Sequence, residues 1–174
     1  QQVLGEWSLP NCSVQLGLPR LSPGDAAARG ASSLVIGIAS VGGALPESWL
    51  PDLLAAIEAG MDIVSGMHTR LTSFPVLVDA AAKRGVRLVD VRHLQTPYPA
   101  GTGRKRSGMR IATVGTDCAL GKKYTALALT RAIEARGAKA TFRATGQTGI
   151  MIAGSGIPID AVISDFVAGA AEVL

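Results

Sequence analysis

The stretch Met109-Arg-Ile-Ala-Thr-Val-Gly-Thr-Asp-Cys-Ala-Leu-Gly-Lys122 decides the fold. Met109–Val114 is a short apolar run ending in β-branched residues and reads as a strand. Gly115–Gly121 is a loop bounded by glycines, and Lys122–Arg136 carries apolar residues at helical spacing. Strand, glycine-bounded loop, lysine and helix in that order describe a phosphate-binding loop. Successive backbone N–H groups turn inward, the helix N-terminus adds partial positive charge, and Lys122 adds a full one. The residues assigned to this cradle are Gly115, Thr116, Asp117, Cys118, Ala119, Leu120, Gly121, Lys122, Lys123 and Tyr124. The competing reading is a tight strand–helix turn with an exposed lysine.

Two details depart from the common pattern. Five residues separate Gly115 from Gly121, where four are usual, and the position after Lys122 is Lys123 instead of a metal-binding Ser or Thr. Thr125 takes over the metal role only if the helix starts later. The longer loop opening Gly-Thr-Asp resembles the dethiobiotin-synthetase branch of P-loop proteins. Metal-assisted ATP hydrolysis is disfavoured by the missing hydroxyl.

Downstream, Ala138–Phe142 reads as another strand, Thr145–Gly156 as a second glycine-rich loop and Ile159–Leu174 as a helix. If both strands join one sheet, both loops emerge at its carboxyl edge, where open α/β sheets bind ligands. There Arg143 offers a planar fork to an anion, and Thr145, Gln147, Thr148 and Ser155 offer neutral hydrogen bonds. A flexible surface loop is the alternative. Asp160 reads equally as a first-turn charge or a ligand, and Asp165 as a solvated helix charge.

Upstream, Ser33–Ala39 is an apolar run expected to be a strand buried on both faces, followed by a Gly-rich turn at Ser40–Pro46. Glu47–Ala59 and Phe74–Arg84 show helical periods stopped by Gly60 and Gly85; Asp62–Val64 and Val86–Val91 are strands. Residues 1–32 hold three prolines and one short helix at Asp25–Arg29. Alternating strands and helices with short links argue a parallel sheet. Arg92–Gly108, with two prolines and the run Arg104-Lys105-Arg106, reads as a linker. The expected organisation is α/β throughout: a Rossmann-like parallel-sheet domain at 1–100, then a P-loop domain at 108–174.

The chain has 174 residues, 48% apolar and 4% aromatic, with 17 basic and 13 acidic side chains for a net charge of +4. That length carries a core without staples, and the composition argues against disorder. Apolar runs are too short for a bilayer. Two cysteines, Cys12 and Cys118, make no disulfide framework, and no secretory signal opens the chain, which fits a cytoplasmic protein. The basic run lacks the interleaved aromatics that single-stranded nucleic acid needs, so the partner expected is a small molecule. No Cys/His/carboxylate set has zinc spacing, so no metal site is assigned. The Ala-rich apolar helices give an expectation of a homo-oligomer. A start at Gln1 and an apolar helical pattern running to Leu174 suggest a fragment of a longer protein.

His68, in Ser-Gly-Met-His-Thr-Arg after the strand at Asp62–Val64, is the candidate general base, since imidazole titrates near neutrality. A structural loop histidine is the alternative. Cys118 reads as a small packing residue.

Four segments together resemble one family: Asp62-Ile-Val-Ser-Gly-Met-His68, Val89-Asp-Val-Arg92, Val114-Gly-Thr-Asp-Cys-Ala-Leu-Gly-Lys122 and Ala144-Thr-Gly-Gln-Thr-Gly-Ile-Met-Ile-Ala-Gly154. It is the family that includes D-glutamate N-acetyltransferases, formerly a domain of unknown function, with a Rossmann-like N-terminal half and a P-loop C-terminal half. Its members are longer at both ends. The resemblance implies an acyltransferase with acetyl-CoA as co-substrate, its phosphates held by the P-loop. It implies His68 as base and Arg92, Arg143, Thr145, Gln147 and Thr148 as substrate contacts. The competing classes are an ATP- and Mg²⁺-dependent ligase or kinase, and a non-catalytic nucleotide-binding protein.

Overall fold

The computed structural model describes residues 2–10, 12–38, 40–93 and 97–174. The expected strand end at Ala39 and residues 94–96 of the expected linker lie outside the described residues. The chain divides into two compact units, Gln1–Asp90 and Val91–Leu174, each described by itself.

In the first unit, β1 (Ser33–Val35), β2 (Asp62–Ser65) and β3 (Leu88–Asp90) form a parallel sheet in the order β1-β2-β3. Ile63 stands opposite both Leu34 and Leu88, and Ser65 opposite Asp90. Parallel neighbours need long crossovers. These are α2 (Leu50–Glu58), preceded by a 3₁₀ turn at Glu47–Trp49, and α3 (Pro75–Arg84). Pro51 and Pro75 sit in the first turns, where no N–H is needed. Each helix buries a narrow stripe, Leu53, Ala56 and Ile57 on α2 and Leu77 and Ala81 on α3. They pack with Met61, Ile63, Met67 and Leu71 in one cluster. Burying each of the larger side chains stabilises the unit by roughly 1.5–3 kcal/mol.

Sequence pattern placed these elements to within a few residues, with one correction. β1 is not buried on both faces: as an edge strand it leaves Val35 52% exposed, and the buried residue is Ile36, just past its end. The short helix α1 is Pro23–Ala28, capped by the Ser22 hydroxyl accepting from the Asp25 N–H at 3.1 Å.

The second unit departs further. α4 spans Lys122–Glu134, starting where expected and ending two residues before the expected Arg136. Met109–Val114 and Ala138–Phe142 are not strands. Neither run has a ladder partner among the described residues, and Met109 and Val114 are 89% and 87% exposed. Residues Thr145–Gly156 are not simply a loop, because Gln147–Ala153 forms helix α5, closed by a single parallel bridge between Ala144 and Gly156. The expected helix at Ile159–Leu174 is two 3₁₀ turns and a shorter helix, α6 (Val167–Val173).

The linker reading also changes. Pro99–Gly103 docks on α6, where a side chain on Gly169 would run into the Pro99 carbonyl. The Glu172 carboxylate accepts the Thr102 N–H at 2.8 Å, the Gly103 N–H at 2.6 Å and the Thr102 hydroxyl at 2.9 Å. These bonds, led by that from the Thr102 N–H, hold the carboxyl below its usual range. With the folded value lowered, its contribution is complete above the ordinary glutamate range and is lost as pH falls through the lower folded value. We therefore expect Glu172→Gln to lower protection of the Thr102 and Gly103 amides at neutral pH. Protection in the wild type should match it only in acid. Equal protection in both proteins at neutral pH would show the anchor to be inert.

Candidate functional site

The loop at 115–121 has the features of an anion cradle. Gly121, the N-cap of α4, is left-handed at φ 94°, and no side chain caps the helix. The amides of Lys122, Lys123 and Tyr124 find no acceptor among the described residues, so the first turn presents donors of the kind that bind anions. Ala119 has φ 56°, the one positive φ on a non-glycine among the described residues. Such strain is found where a loop shape is held for a purpose.

The Lys122 ammonium curls back onto the Asp117 carbonyl, within the loop. The Thr113 hydroxyl donates to the Lys122 carbonyl at 3.0 Å, tying the approach segment to the helix start. Asp117 takes one donor out of the cradle, its Oδ1 accepting the Cys118 N–H at 2.6 Å. Thr116, Cys118 and Leu120 are exposed, and Gly115 lies against the Lys122 stem. Lys123 places its Nζ 4.3 Å from the Tyr124 ring centroid. Thr125 is no substitute metal ligand: α4 starts at Lys122, and the Thr125 hydroxyl donates to the Gly121 carbonyl at 3.2 Å.

Of the residues assigned to substrate, Arg143 is exposed with no ion pair among the described residues. Thr145 is exposed, and its carbonyl accepts the Ile159 N–H at 3.1 Å. Gln147 and Thr148 open α5, behind the Gly146 N-cap. Arg92 pairs with Asp160 at 2.7 Å. That pair gives Asp160 a role and means a ligand carboxylate at Arg92 would have to compete with one already there.

His68 lies in the first unit. Its N–H donates to the Gly43 carbonyl at 2.8 Å, and its imidazole lies over the Gly43 Cα, where a Cβ would collide with it. Gly43 has φ +67°, a second reason for glycine there. The turn after β1 and the loop after β2 thus meet at the carboxyl edge of the sheet, with the imidazole exposed.

Sequence reasoning missed what holds this loop. Ser65 and Asp90 end β2 and β3, stand opposite each other and are buried. The Ser65 hydroxyl accepts the Met67 N–H at 3.2 Å, and the Asp90 carboxylate accepts the Leu71 N–H at 3.0 Å. The signal available was a polar residue ending each apolar strand. Asp90→Ala leaves a buried N–H without an acceptor and should cost about 1–3 kcal/mol in urea unfolding. An unchanged midpoint would mean that water replaces the carboxylate.

A Rossmann-like parallel unit followed by a P-loop unit is the class of protein these features define. Residues 7–94 match the family model described as a domain of unknown function (DUF1611_N), Rossmann-like domain, and residues 99–174 match its P-loop domain (DUF1611_C). The chain belongs to the DUF1611 family. It is 49% identical over 171 residues to a D-glutamate N-acetyltransferase of Pseudoalteromonas, covering 98% of this chain and 52% of the relative. A D-glutamate N-acetyltransferase of Tritonibacter scottomollicae is also 49% identical, with 98% and 51% covered. The chain therefore spans about half the length of the curated relatives it matches. A crystal structure of a DUF1611 family protein from Anabaena variabilis matches with TM-score 0.80 and 40% identity, over 90% of this chain and 46% of that one. Among the described residues, no helix is long and apolar enough to cross a membrane.

Proposed function

We propose that the full-length protein transfers the acetyl group of acetyl-CoA to the amine of D-glutamate. The observation that carries this reading is the identity with two curated D-glutamate N-acetyltransferases along nearly the whole chain. The loop chemistry supports it. Coenzyme A brings a diphosphate and a ribose phosphate, and a cradle of free amides with Lys122 suits them without hydrolysis. A second cation at Lys123, and Thr125 turned onto its own helix, suit an anion held without a metal.

In this reading His68 removes a proton from the D-glutamate ammonium. The free amine attacks the thioester carbonyl, a C–N bond forms, and backbone N–H groups of a glycine-rich loop stabilise the oxyanion. The C–S bond then breaks and coenzyme A leaves as a thiolate, and the second proton that the attacking nitrogen must lose to become an amide passes to that thiolate. Arg143, Thr145, Gln147 and Thr148 are assigned to the polar groups of the bound substrates.

The test is to incubate the full-length protein with acetyl-CoA and D-glutamate, with L-glutamate as control, following free thiol and product mass. Thiol release with N-acetyl-D-glutamate is expected. Absence of release together with Mg²⁺-dependent ATP turnover would replace this reading with a ligase or kinase.

A further inference from the structure

The loop from Gly66 to Leu71 is pinned along its length. Ser65 holds the Met67 N–H, Gly43 holds that of His68, and Asp90 holds that of Leu71. The Thr69 hydroxyl accepts the Leu45 N–H at 3.2 Å, which turns Thr69 inward while His68 and Arg70 on either side stay exposed. Arg70 is extended, at φ −71° and ψ 140°, and its carbonyl accepts the Ser73 N–H at 3.1 Å to open a 3₁₀ turn.

An imidazole and a guanidinium thus leave one fixed backbone two residues apart, at the carboxyl edge where open α/β sheets bind ligands. The Arg70 guanidinium has no ion pair among the described residues, whereas Arg87 is held by Asp62 and Arg92 by Asp160.

We propose that Arg70 binds a carboxylate of the amino acid whose amine His68 deprotonates, and so sets the preference for a dicarboxylic acceptor. The part given to His68 rests on the acetyltransferase reading; carboxylate binding by Arg70 does not. A planar fork matches a carboxylate with two parallel N–H donors, a fit that lysine lacks. The pinned backbone lowers the ordering cost of binding.

The experiment is calorimetric titration of D-glutamate, and of its side-chain amide D-glutamine, into the full-length protein holding coenzyme A, so that no turnover occurs. Arg70→Ala should weaken D-glutamate binding roughly 10- to 100-fold, the span of a lost charge-assisted bond. Arg70→Lys should fall between, and both variants should melt as the wild type does because the side chain is exposed. Undiminished binding by Arg70→Ala overturns the proposal, as does a wild type that binds D-glutamate no better than D-glutamine. If D-glutamate binds through Arg70 but no acetyl group moves, the carboxylate site stands and the acetyltransferase reading fails.

Discussion

Replacing His68 by alanine in the full-length protein should lower kcat for acetyl transfer by about 10²- to 10⁴-fold, the usual share of a positioned base. An amino acid reaches the enzyme mainly as its ammonium form, which has no lone pair to attack a thioester. A group that is basic near neutrality must take that proton, and imidazole is the side chain suited to it. KM for acetyl-CoA should change little, because a proton acceptor adds nothing to phosphate binding. Gly43→Ala makes an independent check with the histidine still in place. Its Cβ would strike the imidazole, and its φ of +67° would be strained in alanine. It should lower kcat in the same direction by displacing the ring. Full activity of His68→Ala would remove His68 from the chemistry.

Legibility in the sequence followed the range of the interactions concerned. α3 and its glycine stop, or α4 behind Lys122, are set by neighbours within a few residues, and periodicity found them. β2 was found because its alternation with α2 and α3 leaves one topology for its apolar run. Met109–Val114 has the same kind of apolar run, yet forms no ladder among the described residues. A strand is a pairing, and an apolar run does not state its partner. α5 escaped because Gly149 inside Gln147–Ala153, with Gly146 and Gly154 at its two ends, looks like a loop residue, although Gly149 sits buried against Ala144, where a larger residue would crowd. Candidate chemical groups are easier to pick out in the sequence than the contacts that support them. His68 and Lys122 stand in short motifs, while Asp90 acts on Leu71 and Glu172 on Thr102 through contacts 19 and 70 residues apart in the chain.

Lys122→Ala should raise KM for acetyl-CoA roughly 10- to 100-fold and leave KM for D-glutamate nearly unchanged, since a charge-assisted bond to phosphate contributes about 1.5–3 kcal/mol. Lys122 starts α4, with its ammonium on the Asp117 carbonyl. Binding a phosphate therefore exchanges a neutral acceptor for a charged one, and that difference is what the variant loses. The effect should lie mainly in KM, because the phosphates stand apart from the reacting thioester and bind equally in ground and transition states. Lys123 offers a contrast within the same turn. Its cation is shared with the Tyr124 ring, so Lys123→Ala should cost less than Lys122→Ala. Both losses should shrink as salt rises, because exposed charges are screened. If Lys122→Ala leaves KM for acetyl-CoA unchanged but abolishes binding of Mg²⁺-ATP, the loop holds a nucleotide triphosphate. The coenzyme would then have to bind elsewhere.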